Sequence, residues 1–358
     1  MHQGEDGFNI YQLAEELNIP ERKILDFSAS VNPLGVSKKV KAEVRKHLKY
    51  MHRYPDPDTK RLRRRLGQYH AVDPETILCG SGSTELIYLI AKALKPQRVL
   101  IPAPTSPEYE RACRTSADAE VIYFDLRREN KFDLNPGEFI EAIKGKLPAI
   151  AFLCNPNNPT GRLTDKQAMK KIANAAKDHG CFLVVDEAYR DFSPGDSMVD
   201  ETPVNPYLFV LKSMSHYYAL AGVRFGYGFF PIQCIELLKA VRAPRMVNSL
   251  AQISAAAALK DKAYRKESSA FMHGEKEFLE KNFRKLGIDF FPSDANFYLV
   301  RTAAAAEICR HLRSKGILVR DCRDFRGLDS SYVRIAVKSH RENAILIREL
   351  TRIITVGG

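Results

Sequence analysis

Ser213 and Ser215 stand two residues apart, a glycine follows at position 222, and Arg224 comes two residues later. Hydroxyls donate hydrogen bonds and arginine offers a planar fork, so these are the parts of a cup for a phosphate group. A second anion site is written at Gly80-Ser81-Gly82-Ser83-Thr84-Glu85, a glycine-rich turn that opens a helix with Leu86, Ile87, Ile90 and Leu94 on its apolar face. Free backbone amides at such a start attract an anion, and the small residues Gly82, Ser83 and Thr84 let it approach. Two more polar segments close apolar runs: Asn155-Pro156-Asn157-Asn158-Pro159-Thr160-Gly161 and Asp186-Glu187-Ala188-Tyr189. Taken singly, the first is a turn and Asp186 a helix cap. Between the two serines and Arg224 lies His216, an imidazole able to take or give a proton near neutral pH.

The elements that must position these groups alternate along the chain. Apolar strands are legible at 99–102, 121–124, 149–153, 182–186, 208–211 and 224–230. Helical patterns sit between them, most clearly over 164–179, with Thr164 and Gln167 as a capping box and Gly180 as the stop. Such alternation predicts an α/β fold: a large domain with a mostly parallel sheet sandwiched by helices. Ligands in such sheets bind beyond the carboxyl ends of strands, where all the motifs above fall. After Met246 two long helical patterns lead into a smaller α+β unit, with strands at 296–300, 317–320 and 332–337. Asn32-Pro33-Leu34-Gly35 ends an extended arm at the N-terminus. The division expected is an arm over 1–35 that joins the small domain, a large domain over 36–246 and a small one over 247–358.

The bulk composition bounds the function classes. With 358 residues, 45% of them hydrophobic and 27% charged, the chain is an ordinary globular sequence with ample core. No signal peptide and no apolar run of membrane length is visible. Seven cysteines without a Cys-x-x-Cys pair point to reduced thiols, a cytoplasmic setting and no metal site. The net charge of +12 is densest at Lys60-Arg61-Leu62-Arg63-Arg64-Arg65, which at helical spacing reads as solvated surface rather than a nucleic-acid face. The same balance suits an anionic small molecule.

In this order and at these separations, the four motifs resemble those of fold-type I pyridoxal 5'-phosphate enzymes of the aminotransferase class I/II kind. The resemblance implies a seven-stranded-type sheet, Asp186 paired with the pyridine nitrogen, and Asn158 and Tyr189 on the ring's phenolic oxygen. It implies that Gly82, Ser83, Thr84, Ser213, Ser215 and Arg224 hold the cofactor phosphate, helped by Tyr54 from a neighbouring subunit, hence a homodimer. The opening Leu25-Asp26-Phe27-Ser28, the turn Arg53-Tyr54-Pro55-Asp56 and the ending Asp329-Ser330-Ser331-Tyr332-Val333-Arg334 narrow the likeness. They are similar to the threonine-phosphate decarboxylases, lyases of cobalamin biosynthesis, and to the related histidinol-phosphate aminotransferases. That implies a phosphorylated amino-acid substrate, with Arg334 on its carboxylate, Arg320 and His2 near its phosphate, and Asn32 in contact with it.

The chain departs from this pattern where the family's covalent bond to the cofactor is made. His216 stands at the position of the Schiff-base lysine, and an imidazole has no primary amine to form that bond. Lys212, on an extended chain about 13 Å away, is no substitute. Ser106 takes the place of a ring-stacking aromatic, and Ser30 that of a frequent asparagine. The expected cofactor is therefore noncovalent pyridoxal phosphate, with His216 as catalytic acid/base beside Asp186 and Tyr189. A lysine removed to trap a complex, or a lysine-free protein that is inactive and serves as a binding or regulatory partner, are the other readings.

Overall fold

Along Leu208-Phe209-Val210-Leu211 every side chain is buried, yet alternate residues join different clusters. Leu208 and Val210 pack with Leu66, Phe139, Ile172 and Ala255, whereas Phe209 and Leu211 pack with Leu86, Ile90, Ala112 and Leu238. A strand of period two that is apolar on both sides needs helices on both faces. The computed structural model, which describes residues 9–356, has this layered arrangement.

Seven strands make the large sheet, in the order Ile77–Gly80, Gly226–Phe229, Leu208–Ser213, Phe182–Asp186, Ile150–Cys154, Arg98–Ala103 and Glu120–Asp125. Gly226–Phe229 runs antiparallel to both of its neighbours, and the other pairs are parallel. Six of these strands were legible as apolar runs, and Ile77–Gly80 is the seventh. The expected strand from residue 224 begins two residues later, because Arg224 sits in the left-handed region at φ 60° and cannot pair as a strand.

The helix expected from Thr164 spans Lys166–Asp178, and its cap is Asp165, whose side chain accepts from the Ala168 amide. Thr164 is instead tied to Asn155 through both its amide and its carbonyl, which holds it outside the helix. Lys60, Arg61, Arg64 and Arg65 of the basic run are exposed, as its reading as solvated surface expects, but Arg63 is buried, donating to the Asp58 and Pro74 carbonyls and pairing with Glu75.

The smaller unit is a four-stranded antiparallel sheet ordered Arg320–Asp321, Tyr332–Ala336, Phe297–Arg301, Asp289–Phe290. The single strand expected over 317–320 is broken in two. Ile317–Leu318 pairs in parallel with Leu25–Asp26 of the arm, and Arg320–Asp321 pairs with Tyr332–Ala336. The arm is thereby stitched to the small unit. Among the described residues no helix is long and apolar enough to cross a membrane.

Candidate active site

Across three neighbouring strands of the large sheet, Gly80, Gly226 and Ser213 lie in one register row. That row brings the glycine-rich turn beside the two serines, although more than 130 residues separate them. A Cβ on Gly226 would lie 2.2 Å from the Ser83 amide nitrogen, so only glycine admits the start of the Ser83–Leu94 helix this close. Gly82, at φ 87°, precedes that helix, and a Cβ there would meet Arg224 Nη2 at 2.6 Å. The Arg224 guanidinium therefore rests on bare backbone. Ser213 and Ser215 are buried at the strand end, with the Ser215 amide donating to Ser213 Oγ. Gly82, Ser83, Ser213 and Arg224 thus lie together at this end of the sheet, with Thr84 and Ser215 adjacent to them in the chain.

Asp186 ends the central strand Phe182–Asp186 and is buried. Tyr109 Oη donates to its Oδ2 at 2.9 Å, and the Ala188 amide to its Oδ1 at 3.0 Å. Burial raises its carboxyl to about 6, against the pull of these two donors. Near neutral pH it remains mostly an anion. Tyr109, stacked on Phe152, was not singled out in the sequence. Its only signal was a polar aromatic six residues past the strand end at Ala103.

His216 is half-buried, with its ring 4.3 Å from that of Tyr189 at an interplanar angle of 30°. Its Nδ1 lies 3.0 Å from the Ser30 carbonyl oxygen, which can only accept, so Nδ1 carries the proton. Desolvation lowers its pKa to about 4, outweighing the Ser30 bond, and the charges of Arg334 and Arg224 act in the same direction as burial. The expectation of a group that titrates near neutral pH is corrected accordingly: His216 is a neutral imidazole at pH 7. Burial also pushes the Tyr189 phenol up.

Lys212 is buried and donates to Glu187 at 3.2 Å and Asp191 at 3.1 Å. Burial disfavours its charge, but the two carboxylates prevail and hold it near 12. It is an ammonium in a structural triad, so it is not available as a nucleophile.

Arg320 and Arg334 are both buried and face each other across adjacent strands. Directly opposed residues share a face of the sheet, so two like charges are concentrated there. Arg334 donates to Asn158 Oδ1 and, at 2.7 Å, to the Ser28 carbonyl, and Arg320 pairs with Asp324. Asn158 is thus tied to Arg334. Asn32 takes a different role from the substrate contact expected of it. Its amide nitrogen donates to the Tyr217 carbonyl and Ser268 Oγ, and its oxygen accepts from the Leu34 amide, so it anchors the arm. Tyr54 is 85% exposed, with the Arg245 guanidinium over its ring. His2 lies outside the described residues.

The profile of aminotransferase class I and II matches residues 22–350. The chain belongs to that family. The threonine-phosphate decarboxylase of Salmonella typhimurium is 33% identical over 353 residues, covering 98% of this chain and 96% of its own. The histidinol-phosphate aminotransferase of Methanococcus aeolicus is 31% identical, over 96% of this chain and 93% of its own. Among solved structures, the histidinol-phosphate aminotransferase of Sinorhizobium meliloti in complex with pyridoxal-5'-phosphate superposes with a TM-score of 0.88. It is 20% identical and covers 98% of this chain and 95% of its own. The fold is that of the fold-type I pyridoxal-phosphate enzymes, and the family's members are enzymes that depend on this cofactor.

Proposed function

We propose that the protein is a pyridoxal-phosphate-dependent lyase that decarboxylates a phosphorylated amino acid of the phosphothreonine type, with the cofactor held noncovalently. The observation that carries the substrate class is the cross-strand pair Arg320 and Arg334, two guanidinium forks on one face for two anions. The cup supports the cofactor. Bare backbone at Gly82, two buried hydroxyls and Arg224 fit a phosphate, and the Asp186 carboxylate fits a cationic ring nitrogen. When bound, pyridoxal phosphate supplies a sink for the electron pair released as a bond to the substrate α-carbon breaks.

The chain's own residues would then act as follows. Arg334 holds the substrate carboxylate, and its bonds to Asn158 and the Ser28 carbonyl fix the direction of its fork. That direction decides which bond at the α-carbon is aligned to break. Arg320 takes the substrate phosphate. The substrate reacts as its free amine, its ammonium proton having gone to water, and His216, at the position we assign to the family's lysine, presents an unprotonated Nε2 toward it. Once carbon dioxide has left, His216 relays a proton from water through Nε2 to the α-carbon and is neutral again, while the released amine takes its own proton from water. The small unit and the arm cover this chemistry, and Tyr54 would complete the cup of a second copy in a homodimer.

The test is an absorbance titration of the purified protein with pyridoxal phosphate, followed by phosphothreonine. Saturable binding, a spectral change on substrate addition and more than one equivalent of carbon dioxide per site are expected, with 1-amino-2-propanol phosphate as product. No binding of pyridoxal phosphate would sink the proposal. Amino-group transfer without carbon dioxide would replace it by the histidinol-phosphate-type reaction, which the 31% identical relative supports.

A further inference from the structure

Ser30 and Asn296 are 2% and 0% exposed, and Asn296 is linked to His216 through a single atom, the Ser30 carbonyl oxygen. That oxygen accepts from His216 Nδ1 at 3.0 Å and from Asn296 Nδ2 at 2.9 Å. A carbonyl oxygen has two lone pairs, so both are in use. Only the NH2 end of an amide can face a carbonyl, which sets the orientation of Asn296. The residue is itself fixed, because its backbone carbonyl accepts from the Val337 amide at 2.8 Å, just before the strand Phe297–Arg301. The arm grips His216 at a second point, where the Asn32 amide donates to the His216 carbonyl at 2.9 Å. Tyr189 holds the plane of the ring, and Arg334 and Arg224 are the charges that face it.

A second observation separates Asn296 from an ordinary core residue. Its Oδ1 is buried without a partner among the described residues, and so is Ser30 Oγ. An unmet buried acceptor is costly, so an apolar residue of similar volume would be the better choice for packing alone. What the amide adds is the donor to Ser30.

We propose that Asn296 is a positioning residue, acting through the Ser30 carbonyl to hold His216 as the Nδ1–H tautomer and leave Nε2 as the atom that handles the substrate proton. The inference rests on the reading of His216 as the proton carrier, but its first consequence can be measured without cofactor or substrate. With the second lone pair of the carbonyl filled and its direction fixed, Ser30 presents one geometry to the imidazole. Without Asn296 the carbonyl can turn, and the two neutral tautomers come closer in energy.

The experiment is long-range 1H–15N correlation on the full chain labelled at histidine, with the His216 signals assigned by comparison with His216→Asn. At pH 7 the unsubstituted protein should show a single Nδ1–H form of His216. The opposite tautomer would overturn the inference, and this arm requires no substitution to fold. In Asn296→Leu, which keeps the volume and removes the donor, the second tautomer should rise to roughly a fifth or more, and an unchanged ratio would also overturn it. With the holoenzyme, the same variant should lose about tenfold in kcat with KM within twofold. A tautomer that responds while neither form turns over substrate would uphold the positioning role and remove the proposed function instead.

Discussion

At the scale of single residues, the site consists of groups whose charge states are set by burial and by one or two partners each. Arg224 makes the clearest target. Its guanidinium rests on the bare backbone of Gly82, and a charge-assisted bond contributes about 1.5–3 kcal/mol. Arg224→Ala should therefore weaken pyridoxal-phosphate binding roughly 10- to 150-fold, read by absorbance titration. His216→Lys should make the cofactor reducible onto the chain by borohydride, visible as a mass increase, whereas the unsubstituted protein should show none. Lys212 should not be labelled in either protein, because Glu187 and Asp191 hold it as an ammonium. Acid stability follows from two histidines. His216 is depressed to about 4 and His70 to about 3, both by burial, against about 6.5 in an unfolded chain. Between those values the unfolded chain binds more protons, so their contribution is full above about pH 6.5 and drains as the pH falls toward about 4 for His216 and about 3 for His70. Asp186, raised to about 6, works the other way between roughly pH 4 and 6 and offsets part of the loss. Replacing His216 with Asn should flatten the acid limb of a stability–pH curve by up to about 3 kcal/mol.

At the scale of elements, the cup depends on how closely a strand and a helix start can approach. Gly226→Ala places a methyl where Ser83 nitrogen already sits, and overpacking of this kind costs about 1–3 kcal/mol. A lowered midpoint in urea should accompany weaker cofactor binding, since the helix start must shift. Six of the seven strands of the large sheet are readable because they form short apolar runs, most of them buried on both faces. What sequence pattern could not supply was partnership at a distance. The Thr164 capping box satisfies a local rule, yet Asn155 claims Thr164 and Asp165 caps in its place. The basic helix reads as solvated surface, and its other basic residues are exposed, yet Arg63 is drawn inside by the carbonyls of Asp58 and Pro74. Asn32 and Tyr109 are the same lesson within the site. Their types were legible, but their roles depend on partners at Tyr217, Ser268 and Asp186.

At the scale of the whole molecule, the exposed Tyr54 lies along a groove of about 1130 Å³ shared with Tyr50, Arg53, Arg61 and Ser249, which supports the proposed face between two copies. Tyr54→Ala should lower cofactor affinity severalfold in the dimer without changing the far-ultraviolet spectrum, and a protein monomeric by sedimentation at micromolar concentration would refute that face. One feature of the arm reaches further. Leu25–Asp26 is hydrogen-bonded into the small unit, and six residues after Asp26 the side chain and amide of Asn32 are fastened to the backbone of His216 and Tyr217. A tether that short has little slack, at most about 20 Å when fully drawn out. Any displacement of the small unit relative to the large sheet would therefore pull on the backbone that carries His216, so the seating of this residue is coupled to the position of a unit that lies beyond position 247 in the sequence.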